Sequence, residues 1–347
     1  YEEPTIKRSR SHNYISKEVI NVRENVGLIE VANFSKHEFK GKDARKFLDY
    51  IMAGRLPKPG RISLSPMLSY RGKLCGDLTV ACLDENEFMV FGSGAAQEMH
   101  RRWFESHVDQ FNVNYKNRSD EFHGLSIAGP NSRKVLEKIV RDDVSNEKFK
   151  FRDSRRMFVG GVPAIINRIS FTGELGYEIY VAPHFQIKLY EELIQAGREF
   201  KINHFGGRAL MSMRLEKNWG AWTLDYRPDF TPKETGLDVF INWDKEFIGK
   251  KSAKEDQSKN KIVPLLVSTN DIDVTNNEAV LLKDKAIGYV TSGGFAHYVN
   301  KSLAFSYLNT EELNSEEGIQ VEINGDMFNC ATIKDPLYDP TGQKMRS

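Results

Sequence analysis

The order of apolar and polar positions opens in strand fashion. From Val26 to Phe39 the two kinds alternate loosely, and from Lys42 to Ala53 they change to helical spacing through Ala44, Phe47, Leu48 and Ile51. In Leu56-Pro57-Lys58-Pro59-Gly60 two prolines remove donors and fix the backbone torsion, so this is a connector, and a new subdomain is expected from about 57 to 150. Three strand signals follow, Ile62 to Tyr70, Leu74 to Leu83 and Glu87 to Phe91, separated by Arg71-Gly72-Lys73 and Asp84-Glu85-Asn86, which predicts an antiparallel meander.

Helical spacing returns at Ala95 to Val108 and at Ser132 to Val140, with Asn131 as N-cap, and Leu125 to Ala128 reads as a short buried strand between them. A hairpin across Gly160-Gly161 is expected from Arg156–Val159 and Val162–Ser170. Tyr177 to Val181 adds a third strand after a glycine-punctuated loop. Amphipathic helices are predicted from His184 to Glu199 and from Gly207 to about Asn218. Lys250 to Lys261 is charged and nearly free of core residues, which places a domain boundary there. The last stretch, 256–347, has short strands at regular spacing and an Asn324-Gly325 hairpin, as in a small β-barrel or sandwich.

Composition narrows the function. The chain has 347 residues, 40% hydrophobic, and 49 Lys plus Arg against 48 Asp plus Glu, so a net charge of +1 offers no global field for nucleic acid or an anionic membrane. Cys75, Cys82 and Cys330 are an odd set without zinc-knuckle or redox spacing, which points to a reducing compartment. No apolar run of membrane length and no secretory signal is found, so a cytoplasmic location is expected, or the mitochondrial matrix in a eukaryote. The chain opens at Tyr1 rather than Met, which suggests part of a longer polypeptide.

Candidate chemistry centres on a few positions. In Gly76-Asp77-Leu78-Thr79-Val80 an acid interrupts an apolar strand, where a carboxylate is costly unless it is paired, hydrogen-bonded or used; a structural acid at a strand edge fits the same pattern. In Ser170 to Tyr180 two glycines, several aromatics and two acids crowd a strand junction. Glu178 shares a face with Tyr180 there, which suits a flat heterocycle or, equally, an exposed Glu beside packed tyrosines. Gly206-Gly207-Arg208 opens a helix whose N-terminus and Arg208 could seat a carboxylate, whereas Arg214 and Glu216 read as a charge pair of small energetic consequence. Thr291-Ser292-Gly293-Gly294 reads as a barrel bend. No Rossmann fingerprint, nucleophile elbow or H-x-x-x-H occurs, and His37, His107 and His297 read as surface or packing residues, so no metal site is expected.

Gly76-Asp77-Leu78-Thr79-Val80, Gly173-Glu174-Leu175-Gly176-Tyr177-Glu178-Ile179-Tyr180, Arg208-Ala209-Leu210, Arg214-Leu215-Glu216 and Pro232 to Leu237 together resemble the aminomethyltransferase family of the glycine cleavage system, in the family's order and over nearly the whole chain. Lys58-Pro59-Gly60-Arg61-Ile62, Trp103-Phe104 and Phe205-Gly206-Gly207-Arg208-Ala209 look most like the folate-binding C-terminal half of dimethylglycine dehydrogenase and sarcosine dehydrogenase.

The resemblance implies an α+β cloverleaf of three subdomains around a central folate hole. Two interleaved subdomains would occupy 1–255, and the barrel would follow. It implies tetrahydrofolate as cofactor, with FAD confined to an upstream or partner flavin dehydrogenase, and capture of the carbon lost from dimethylglycine or sarcosine as 5,10-methylenetetrahydrofolate. Asp77 would sit by the reacting nitrogens and Glu178 would grip the pterin, since one carboxylate accepts the N–H and NH2 of the aminopyrimidinone edge. Phe171 and Tyr180 would wall the pterin, Thr79 would support the Asp77 strand, Phe34 and Ser93 would line the hole, and Arg208 would face the folate tail. Phe171 stands where relatives often carry Tyr, so that hydroxyl's hydrogen bond is lost. Two alternatives are a stand-alone aminomethyltransferase or demethylase and a non-catalytic folate-binding module.

Overall fold

A computed structural model describes residues 5–313 and 318–347; Tyr1, on which the longer-polypeptide expectation rests, lies outside them. Among the described residues, Val26–Glu30, His123–Ala128, Ser154–Val159, Val162–Asn167, Gly176–Val181 and Ile202–His204 form a six-stranded sheet. Ser35–Lys40, Arg61–Leu68, Leu74–Asp84, Glu87–Gly92 and Asn114–Asn117 form a five-stranded one.

The second sheet is therefore inserted between two strands of the first. The division expected at 57–150 is corrected: the inserted strands run from Ser35 to Asn117, and His123–Ala128 already belongs to the outer sheet. The proline connector marks a loop inside that unit, between its helix Ala44–Ile51 and the strand that starts at Arg61, so the cue was real and its meaning local. The single strand signal from Val26 to Phe39 likewise splits, and its halves join different sheets.

Period-two alternation decides which side chains meet. Leu78, Val80 and Cys82 pack with Phe47, Leu48, Ile51 and Phe104 of the helices Ala44–Ile51 and Gln97–Val108. Tyr177, Ile179 and Val181 do the same in the other sheet against Leu189 and Leu193 of the helix Gln186–Gly197. The opposite faces meet each other, with Ile62, Ala81, Met89 and Phe91 packed on Val31, Ile165 and Tyr180. Helices thus cover the outsides, and an inter-sheet layer lies within. The meander and the 160–161 hairpin pair as expected. Asn131 occupies its N-cap position without a side-chain capping bond.

Asn260–Val267, Lys301–Asn309, Lys285–Ala296, Ala279–Leu282, Ile319–Ile323 and Asp326–Thr332 close a barrel in that order. Its last hairpin turns at Asn324 and Gly325, with φ of 51° and 89°, as a two-residue primed turn requires. After the barrel's last strand the chain turns back, and Tyr338 reaches Glu174 in the glycine-punctuated loop.

A helix the sequence did not announce, Ser11–Glu24, supplies the clamp for that return. Its Arg23 is buried, donating to Glu174 Oε1 at 2.9 Å, Glu216 Oε2 at 2.6 Å and the Thr172 carbonyl at 2.7 Å. The Tyr338 ring lies 3.7 Å from the guanidinium, and its hydroxyl donates to Glu174. The helix Gly207–Glu216 makes a second joint. Arg214 pairs with Asp225 at 2.7 Å rather than with Glu216, while Thr291 and Ser292 of the barrel donate to the same Asp225. Both ion pairs are fully enclosed, which corrects the expectation of a minor charge pair. Replacing Arg23 by Met would strand two buried carboxylates. Urea unfolding of R23M should show a loss of about 3–5 kcal/mol against the parent.

Candidate active site

The strand Leu74–Asp84 turns Asp77 and Thr79 toward the inter-sheet side, because their neighbours Leu78 and Val80 occupy the helix-covered core. Asp77 is surrounded by protein yet keeps part of its surface accessible. Burial pushes its carboxyl up to about 7, opposed only by a backbone N–H bond. Among the described residues it has no ion-pair partner.

On the facing sheet, Glu178 is 8% exposed and accepts a hydrogen bond from the Tyr180 hydroxyl at 2.8 Å. Burial pushes it up to about 7 as well, against the pull of that hydroxyl. Tyr180 stacks on Phe91 at 4.7 Å and 30°, and Phe91 is the cross-strand partner of Thr79, so this stack ties the two carboxylate-bearing strands together. Phe34 packs against the same cluster. Ser93 follows the end of the strand Glu87–Gly92, whose Gly92 pairs with Ser35. The structure thus gathers Asp77, Thr79, Phe34, Ser93, Glu178 and Tyr180 on or beside one inter-sheet layer.

Two expected residues have their described contacts with other elements. Phe171, in the glycine loop, is half-buried and stacks on Trp219 at 5.9 Å. Arg208 is exposed at the start of the helix Gly207–Glu216 and donates to Ser11 Oγ at 3.1 Å, beside the first helix.

Other residues near the acids escaped the sequence reading. Ser126 and Asn167 flank Glu178 across both neighbouring strands, and both are buried. The Tyr226 hydroxyl accepts a bond from the Gly220 N–H at 3.2 Å, and after burial the charge of Asp77 is the next cause holding its proton on. Alternation in a strand already named could have found Ser126 and Asn167; nothing local marks Tyr226.

A buried carboxylate without a cation is exceptional in this molecule. Among the described residues, Glu38, Asp153, Glu174, Glu216, Asp225 and Glu234 are buried, and each has Lys or Arg within salt-bridge distance. Glu178 is buried and has none. Its two oxygens, one hydroxyl donor and flat aromatic surroundings match the chemistry of a neutral heterocycle that presents two adjacent N–H donors.

The GCVT N-terminal domain family matches residues 1–245, and the family described as glycine cleavage T-protein C-terminal barrel domain matches residues 260–339. The chain belongs to the glycine-cleavage T-protein family. It is a family of folate-dependent aminomethyltransferases. The mitochondrial dimethylglycine dehydrogenase of Rattus norvegicus is 35% identical over 99% of this chain and 41% of its own length, and the human one is 33% identical over the same shares. The chain therefore spans about two fifths of those relatives. The aminomethyltransferase of Desulfitobacterium hafniense strain Y51 is 28% identical over 92% of this chain and 89% of that one. The crystal structure of glycine cleavage system aminomethyltransferase T from Bartonella henselae superposes with a TM-score of 0.85, at 22% identity over 94% of this chain and 90% of that one, which shows a shared T-protein fold. No helix among the described residues is long and apolar enough to cross a membrane.

The raised carboxyls have a stability consequence. Each keeps its proton in the folded state to a higher pH than in the unfolded chain, so stability falls as pH rises from the ordinary carboxylate range through about 7. In Asp77→Asn and Glu178→Gln that loss disappears. Each variant's advantage over the parent in chemical denaturation should grow between pH 5 and pH 8 by about 2 kcal/mol.

Proposed function

We propose that the chain transfers a one-carbon unit to tetrahydrofolate, with Asp77 as the catalytic carboxylate and Glu178 as the group that holds the pterin. The carrying observation is that Glu178 is buried without a cation, beside an aromatic stack that links its strand to that of Asp77. Tetrahydrofolate supplies N5 and N10, the atoms that accept the carbon. Glu178 would accept both donors of the pterin edge, and Phe171 and Tyr180 would flank the ring. Phe34, Thr79 and Ser93 would line the space.

Asp77, poised near neutrality, can take up or release a proton at its carboxylate oxygen in the working pH range, and its charge can stabilise a cation developing beside it.

For the donor, we favour the methyl carbon released by oxidation of dimethylglycine or a similar N-methyl amine, delivered by a flavin dehydrogenase domain or subunit. Support comes from relatives named dimethylglycine dehydrogenase that match 99% of this chain. A second reading, an aminomethyltransferase fed by a separate carrier protein, is favoured by the bacterial relatives that this chain nearly spans. Assaying methylenetetrahydrofolate formation with each donor system separates the two. Transfer from the carrier alone, with none from a dimethylglycine-oxidising flavin domain, would end the first reading.

Asp77→Asn should lower transfer by about 10²–10⁴ while folate affinity stays within a few-fold. Glu178→Gln places an amide donor against the pterin's donors and should weaken equilibrium folate binding by about tenfold or more, read by calorimetry. Undiminished transfer in the first variant, or parental affinity in the second, would remove the role assigned to that residue.

A further inference from the structure

The strand that carries Asp77 is incompletely paired where Asp77 sits. Its pairing with Glu87–Gly92 stops at Thr79 and Phe91, so Leu74 to Leu78 have a strand neighbour on one side only. On that side the register shifts: Gly76 lies opposite Met67 and Leu74 opposite Leu68, which leaves Cys75 as a bulged residue without a cross-strand partner. The carbonyl of half-buried Cys75, two residues before the acid, is open to a donor from elsewhere.

His100 supplies it. The ring comes from the helix Gln97–Val108, is 1% exposed, and places Nε2 2.9 Å from the Cys75 carbonyl oxygen. Because a carbonyl can only accept, Nε2 must carry the proton and Nδ1 is the bare nitrogen. Burial pushes His100 down to about 4, and burial with the neighbouring His100 charge pushes His37 down to about 3, so both rings stay neutral and this bond does not titrate in the neutral range. His37, expected as a packing residue, is itself buried, bonded to the Tyr115 hydroxyl at 2.9 Å and 6.1 Å from the His100 ring.

The fit around the ring depends on two glycines. A Cβ on Gly76 would lie 2.9 Å from His100 Nε2, and one on Gly92 would lie 3.1 Å from His100 Nδ1 and 2.5 Å from Leu78 Cδ2. A side chain at Gly76 would press on the imidazole at the nitrogen that bonds the carbonyl, whereas one at Gly92 would press first on Leu78.

Building on the catalytic assignment of Asp77 above, we infer that His100 is a positioning residue: it replaces the missing strand at the Cys75 bulge and so fixes Asp77 toward the inter-sheet space. It touches neither the acid nor a ligand. With the bond broken, the bulge relaxes, water reaches the carboxylate, and the proton that burial holds there is released at lower pH. The groups facing Asp77 from its surroundings are Tyr226, with Asp225 behind it held by Arg214, and the neutral His100 on the far face of the strand.

The test uses the full chain labelled with ¹³C at the Asp carboxyls, with Asp77→Asn assigning the Asp77 signal, and reads its titration without folate alongside kcat and the folate Kd. His100→Leu removes the donor. Gly76→Ala pushes the ring off the carbonyl from the opposite side, and carries the test should His100→Leu fail to fold. His100→Gln keeps an N–H at similar reach. In the first two variants the Asp77 midpoint is expected to fall by one pH unit or more and kcat by tenfold or more, with folate Kd within threefold; His100→Gln recovers most of both. Parental midpoints in folded His100→Leu and Gly76→Ala proteins overturn the inference, and if Asp77→Asn is inactive in that case the catalytic reading survives alone. A shifted midpoint together with full activity in Asp77→Asn supports the positioning and removes the catalytic reading instead.

Discussion

The fold depends on how it treats buried acids. Arg23 holds Glu174 and Glu216, and Arg214 holds Asp225, and through these two arginines the first helix, the glycine loop, the helix Gly207–Glu216, the barrel and the returning tail become one body. Taking such charges out of water is costly, and the geometry offsets that cost only because each carboxylate also receives hydroxyl or backbone donors. Breaking one joint would leave charge stranded at the meeting point of several elements. Against that background, a buried acid lacking a cation stands out as a group kept for something other than holding the chain together.

Much of this was legible in the residues. The apolar stripe Ala44, Phe47, Leu48, Ile51 is a helix whose four members are all buried. The meander, the glycine hairpin and the Asn324-Gly325 turn follow from local chemistry that tertiary context had no reason to override. The face shared by Glu178 and Tyr180 was fixed by strand alternation alone, and the hydroxyl-to-carboxylate bond is its direct expression.

What escaped was long-range or chemically disguised. The helix Ser11–Glu24 buries only Val19, Val22 and Arg23, so its apolar signal is faint and its chief anchor is a charge whose partners lie about 150–190 residues away in sequence. Strands such as Asn114–Asn117 carry too little apolar character to be distinguished from loop. The interleaving of the sheets was recognised in outline, but its bounds depend on which strands pair, and pairing leaves no local mark. His100 reads as a helix histidine on a mostly polar stretch. Its importance arises from a bulge that exists only once two strands have found their register. Arg208, chosen for its place at a helix N-terminus, shows the converse: a favourable local setting turned outward against Ser11.

Dividing Asp77 and Glu178 between two sheets has a further physical consequence. No short loop joins them, so their separation is set by how the sheets pack across Ile62, Ala81, Met89, Phe91, Val31, Ile165 and Tyr180. Tyr180 belongs to both systems: its ring packs on Phe91 and its hydroxyl bonds Glu178. A close-packed layer of this kind does not deform continuously, since losing even one methylene leaves a void that costs free energy. Ordinary hydrophobic packing, rather than any direct bond between the two acids, is thus what holds one carboxylate in register with the other. Sequence changes confined to that layer can alter the site without touching a polar residue.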